Sequence, residues 1–310
     1  MDDAAALSWQ ELEARQARTT VWFDTWRRFR KSPSAIIGLA IIAALAVCAI
    51  FAPLLSGFRD PLAQNLAATT LHPSFAHPAG TDKLGRDIWT RLLFGARLSV
   101  EIGFVSVGIG LVSGTIVGVL AGFWGGKVDT LLMGAMDVML AFPSILLAIA
   151  ISAILEQGLP IGHEHRIPVS DVVKLFFAVG IVGIPVYARI ARSSVLAVKE
   201  MEYVEAARAI GNATPALLLK YVLPNILAPL LVQATLGVGT AELDSAGLSY
   251  LGLGIQPPTA EWGSMLNDAR DYWLNAPWAL LFPGIAISIT VLGFNLLGDG
   301  LRDALDPRSR

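Results

Sequence analysis

The 310 residues are 54% hydrophobic and only 15% charged, with a mean hydropathy of +0.59, whereas a soluble domain carries about 25% charged residues. That deficit excludes an ordinary soluble globular protein. A single cysteine, Cys48, excludes an intrachain disulfide, and the net charge of −2 says little about partners.

Charge is missing in blocks. No Asp, Glu, Lys or Arg occurs over 32–58, 102–126, 138–155, 221–241 or 272–298, and a shorter run covers 175–188. A helix needs about 20 apolar residues to cross a bilayer. Six transmembrane spans are therefore predicted, at about 35–55, 97–122, 131–154, 172–190, 226–247 and 278–298. The runs are continuously apolar rather than alternating, which argues against a β-barrel. The expected class is an all-α polytopic membrane protein.

In chain order, residues 1–31 form a polar N-terminal segment, too charged for a signal peptide. There Trp22, Phe23, Trp26 and Phe29 alternate with Arg27, Arg28 and Arg30, an amphipathic pattern suited to the membrane interface. Residues 32–96 hold the first span and a long loop, 97–298 the remaining spans, and 299–310 a short tail. With six spans both termini share one side. That side collects 15 of the 23 Lys and Arg residues, so the positive-inside rule places it in the cytoplasm. The loop 191–225 falls there too.

Span two repeats glycine every fourth residue: Gly110, Gly114, Gly118 and Gly122. Such a stripe lets helix backbones approach closely in lipid. It does not say whether the neighbour is this bundle, a second subunit or the translocation path. Intramembrane carboxylates are costly and mark function by default. Glu101, Glu242 and Asp244 fall near outer span ends and are the candidates for a negative vestibule receiving a cationic group. Hydration, or pairing with Arg97, is the plainer reading. Asp137 falls near the inner end of span three.

Several motifs are absent: a phosphate-binding G-x-x-x-x-G-K-[ST] loop, HExxH, CxxC and G-x-S-x-G. His163 and His165 stand two apart in an exposed loop without further ligands, a weak metal signal, and no metal site is assigned.

The stretch "EYVEAARAIGNATPALLLKYVLPN" (202–225) interrupts the apolar pattern. A helix is predicted from about Val198 to Ile210, with Tyr203, Ala206, Ala207 and Ile210 on one narrow face. Glu205 and Arg208 have the spacing of a helical ion pair. Gly211 supplies a left-handed stop. Thr214 and Pro215 start a second helix, which Pro224 closes before span five. The expected result is a rigid elbow with a small-residue face suited to a partner's groove.

The same stretch resembles the EAA loop of ABC-importer permeases through Glu205, Ala206, Ala207, Gly211, Tyr221, Leu223 and Pro224, with Tyr221 where the family usually has isoleucine. "GTDKLGRDIWTRLLFGARLSV" (80–100), "LSYLGLGIQPPTAEWGSML" (248–266) and "NLLGDGLRDALDPR" (295–308) resemble the second, shorter permease of the dipeptide/oligopeptide/nickel subfamily. Gly134, where many relatives have arginine, and Asp244-Ser245, replacing a small residue followed by glutamate, depart from it. The resemblance implies a type I importer permease in a bacterial inner membrane and not an enzyme. It also implies that 202–225 is a coupling helix, with Tyr203 and Arg208 beside the motif residues. The partners would be a homologous permease, two cytoplasmic ATPases that bind ATP and Mg, and an extracytoplasmic binding protein. This chain would hold no cofactor and meet no nucleic acid. The alternative is an ion-driven secondary transporter, which would need paired ionisable groups at mid-membrane. A membrane enzyme lacks any convergent catalytic set.

Overall fold

A computed structural model describes residues 26–161 and 165–305. Trp22, Phe23 and His163 lie outside the described residues, as do the side chain of His165 and the last five residues.

Ser32 caps helix α1 (Pro33–Ile50), its hydroxyl accepting from the Ala35 amide, with Pro33 in the first turn where its missing N–H is harmless. A short turn, α2 (Ala52–Leu55), follows. Helix α3 (Ile88–Trp124) has 37 residues, so at about 1.5 Å per residue it exceeds a hydrocarbon core of about 30 Å. Its first turns therefore stand outside the lipid. Gly125 and Gly126 both have positive φ and turn the chain into the next helix.

The third span departs from expectation. Residues 131–154 are not one helix but α4 (Gly126–Ala141) and α5 (Ser144–Glu156), bent by 99°. Phe142 precedes Pro143, and the proline ring pushes it into the extended region (φ −88, ψ 138). Among the described residues, five unbroken helices are long and apolar enough to span, and the broken pair makes six. A small antiparallel hairpin, β1 (Leu159–Ile161) with β2 (His165–Ile167), qualifies the all-α expectation.

Helix α6 (Asp171–Lys199) continues beyond the predicted 172–190. After the short α7 (Glu202–Ala209) comes α8 (Thr214–Tyr250), which is unbroken through Pro224. A π-helical turn at Leu217–Val222 absorbs that proline. The Leu223 amide reaches back to the Leu218 carbonyl, and the Asn225 side-chain amide donates to the Tyr221 carbonyl at 2.6 Å. The backbone bonds disturbed by the ring are thus partly replaced, so the predicted helix end at Pro224 is corrected. Helices α9 (Trp262–Ala269) and α10 (Trp278–Leu305) complete the chain.

The most extensive helix packing is α3 against α6. A Cβ on Gly114 would lie 2.6 Å from the Ile184 carbonyl oxygen, one on Gly122 2.9 Å from that of Arg192, and one on Gly110 3.1 Å from that of Gly180. The whole stripe faces α6 of the same chain. Helix α10 packs on α1 in the same manner, Gly300 against Ala35 and Gly293 against Ile41.

Gly114→Ala is expected to cost about 1–3 kcal/mol through overpacking. Gly108→Ala, whose Cβ would meet nothing within 4 Å, should be neutral or stabilising. Thermal unfolding of the two purified variants in detergent checks this; equal midpoints would contradict the packing.

Candidate functional site

The elbow is built at one end of the bundle. Helix α6 ends at Lys199, whose ammonium donates to the Gly122 carbonyl at 3.1 Å and ties the α6 terminus to that of α3. The chain breaks at Glu200-Met201, so α7 starts at Glu202 rather than Val198. Its end is a full Schellman closure: the Asn212 amide bonds the Ala207 carbonyl and the Gly211 amide that of Arg208, with Gly211 at φ +86. The Asn212 side chain adds a second bond to the Ala207 carbonyl at 2.8 Å. Ala213, not Thr214, is the N-cap residue of the second helix.

The exposed face also differs from expectation. Val204 and Ala207 are buried against the π turn and the end of α6. Tyr203, Ala206 and Ile210 point outward, with Ile210 80% exposed. Ala207 is therefore an anchor rather than part of the outer face. Glu205 and Arg208 are both exposed and, among the described residues, form no ion pair with each other. Leu223 is half-buried and Pro224 exposed at the start of the membrane part of α8.

Close to this end two ion pairs join α4 to α6. Arg192 donates to both carboxylate oxygens of Asp129, the Nη2 to Oδ2 bond being 2.5 Å, and Arg189 holds Asp137 at 2.6 Å. Separations of 63 and 52 positions hide both pairs from sequence reading. Gly134 lies between them on an exposed face with open space around it.

At the opposite end a polar cap closes over the helices. Gly80 and Gly85, both at positive φ, shape a loop in which Asp82 accepts from the Leu84 and Arg86 amides. The buried Arg86 guanidinium binds Asp82 at 2.5 Å and Asp268 at 3.0 Å. Trp262 and Trp278 donate their indole N–H groups to the carbonyls of Leu92 and Thr81. Glu261 caps α9 by accepting from the Gly263 and Ser264 amides, each at 2.7 Å. Burial pushes its carboxyl up, opposed by those two donors.

The three acids of the predicted vestibule are not brought together. Glu101 is exposed on α3. Glu242 is 1% exposed beside Ser99 and Glu261. Asp244, two residues on, is turned about 200° around α8 and lines a separate cavity. Arg97 pairs with none of them; its guanidinium donates to the Ala49 and Ile50 carbonyls at the end of α1.

That cavity, about 410 Å³, lies where the α4–α5 break meets α3, α6 and α8. Ser106, Phe142, Ser144, Tyr187, Gln233 and Asp244 contribute to its wall. Of these only Asp244 was singled out from sequence. The Phe142-Pro143-Ser144 step lies at this cavity, as expected of irregular backbone at membrane depth, which persists only in protein or beside a water-filled cavity.

Comparison with known proteins agrees with this architecture. Residues 114–310 match the family described as binding-protein-dependent transport system inner membrane component. Residues 20–73 match the N-terminal transmembrane domain of oligopeptide transport permease C. The dipeptide transport system permease protein DppC of Alkalihalophilus pseudofirmus is 46% identical over 93% of this chain and 90% of its own length. A di/tripeptide permease, DppC of Pseudomonas aeruginosa, is 44% identical over 92% and 91%. The glutathione permease GsiD of Escherichia coli O157:H7 is 42% identical over 93% and 91%. Among solved structures, the inward-facing MetNI methionine ABC transporter superposes with a TM-score of 0.55 at 20% identity, covering 69% of this chain and 96% of that one.

Gly211→Val is expected to fray α7, since a β-branched residue is strained at positive φ. Hydrogen exchange should quicken by about tenfold or more over 202–212, the protection lost when about 1.4 kcal/mol is removed, and stay unchanged in α3 and α6.

Proposed function

The chain belongs to the binding-protein-dependent transport inner membrane components, as a permease subunit of an ABC importer, and we infer that its solute is a di- or oligopeptide or a related small molecule. The relatives named above as dipeptide, di/tripeptide and glutathione permeases support this range. On this reading the chain forms half of the translocation pathway beside a homologous permease. An extracytoplasmic binding protein delivers solute to the polar cap. Two ATPases bind ATP and Mg and hydrolyse ATP, and their grooves receive the elbow. Both termini and the elbow are then cytoplasmic. The self-sufficient ion-driven transporter is not favoured by the family match.

The observation that carries the coupling role is the elbow's outer face. Tyr203, Ala206 and Ile210 are exposed at the end of the bundle, on a short helix locked at both ends by the α6 terminus and the Gly211 closure. An apolar face on a rigid, capped helix suits a groove on another protein. Glu205, Arg208, Leu223 and Pro224 belong to the same coupling segment, and Ala207 anchors it.

The test is reconstitution of the whole complex in vesicles. Replacing Glu205 and Gly211 together by alanine is expected to reduce both uptake and binding-protein-stimulated ATP hydrolysis at least tenfold, a loss of about 1.4 kcal/mol or more in coupling. Wild-type uptake and stimulation in that double variant would sink the assignment, as would uptake by this permease without any ATPase subunit.

A further inference from the structure

The cavity at the α4–α5 break holds one charged group. Asp244 lines it with the neutral polar side chains of Ser106, Ser144, Tyr187, Gln233 and Thr240. Thr240 and Gln233 precede Asp244 by four and eleven residues, so the three share a face of α8. No hydrogen bond or ion pair engages Asp244 within the described residues. Arg189 and Arg192, on the helix that carries Tyr187, pair with Asp137 and Asp129 and are not among the lining residues. The Ser106 hydroxyl is 1% exposed and makes no hydrogen bond, an unmet donor in the same wall. The lining runs from the middle of α3 and α6 to the last third of α8, where Asp244 stands six residues before the helix end, so the carboxylate lies toward the outer side of the membrane-spanning bundle.

An intramembrane carboxylate is costly; such groups face the bundle interior or a water-filled cavity and mark substrate and ion pathways. The cavity volume, about 410 Å³, lies within the range of small-molecule sites. One carboxylate among hydroxyls and an amide suits a single positive charge with N–H donors. It is too few for a divalent metal, and no group of three metal-ligating side chains occurs among the described residues. The geometry points to Asp244 as the counter-ion that receives a primary ammonium group of the solute in transit, with Gln233 and Thr240 available to its other polar atoms. Glu101 and Glu242 take no part. The choice of a peptide amino terminus as that ammonium rests on the importer reading above; the cation preference of the cavity does not.

The experiment has two arms on the full complex in vesicles, with its own binding protein. In the first, uptake of dialanine is compared in wild type, Asp244→Asn and Asp244→Glu. The expected result is at least a tenfold loss in Asp244→Asn, restoration by Asp244→Glu, and unchanged capture of dialanine by the binding protein. The second arm needs no transport. Thr240→Cys in a Cys48→Ser background is reacted with a trimethylammonium and a sulfonate methanethiosulfonate. The ratio of cationic to anionic rates should fall at least tenfold when Asp244→Asn is added. An unchanged ratio overturns the cation site. Wild-type uptake in Asp244→Asn overturns its role in transit. A complex that takes up no dialanine, yet keeps the charge-dependent ratio, refutes the peptide reading and leaves the ammonium site standing.

Discussion

The close contact between α3 and α6 fixes the position of nearly everything else. In lipid there is no hydrophobic drive to bring two apolar helices together, so approach depends on small residues and on what the approach then permits. Gly110, Gly114, Gly118 and Gly122 let α6 lie backbone to backbone on α3 for three turns. At one end this brings the Lys199 ammonium onto the Gly122 carbonyl and fixes where the elbow leaves the bundle. In the middle it places Tyr187 against Gly237 of α8, forming part of the cavity wall. Toward the elbow it aims Arg189 and Arg192 at Asp137 and Asp129, which hold α4.

The far end is secured by different means. There the loops carry many polar backbone groups, and buried hydrogen bonds replace close helix contact. The single Arg97 guanidinium donates to the Ala49 and Ile50 carbonyls ending α1, where the helix dipole is negative. Arg86 joins two carboxylates from segments more than 180 residues apart. Truncating one partner of such a buried cluster is far more damaging than its net contribution suggests, because the remaining charge stays buried.

Much of this was legible in the sequence, and the misses share a cause. Gaps in charge marked every membrane pass, and Gly211 marked the left-handed turn. The break at Phe142-Pro143 stayed hidden because apolar residues run straight across it. Proline alone did not flag it either: Pro185, Pro229 and Pro283 sit inside helices, where neighbouring groups can take up the freed carbonyls. For the acids, hydropathy gave depth along the membrane normal but not direction around the helix. Glu242 and Asp244 share a depth and face opposite ways. At the elbow, Ala206 and Ala207 are the same residue type about 100° apart, and burial of Val204 one turn before Ala207 sets the inward side, so Ala207 lies inside.

The continuity of α8 links the two sites. One helix runs from Thr214, in the elbow, to Tyr250, and carries Gln233, Thr240 and Asp244 on the way. Its only irregular backbone near the elbow is the π turn at Leu217–Val222, which keeps the helix unbroken past Pro224. The elbow and the cavity carboxylate are thus carried on one continuous helix. The opposite wall behaves differently, since α4 and α5 meet at a 99° bend without helical bonds across it. The cavity thus lies between a continuous α8 and a broken α4–α5, with the close α3–α6 contact forming its remaining side.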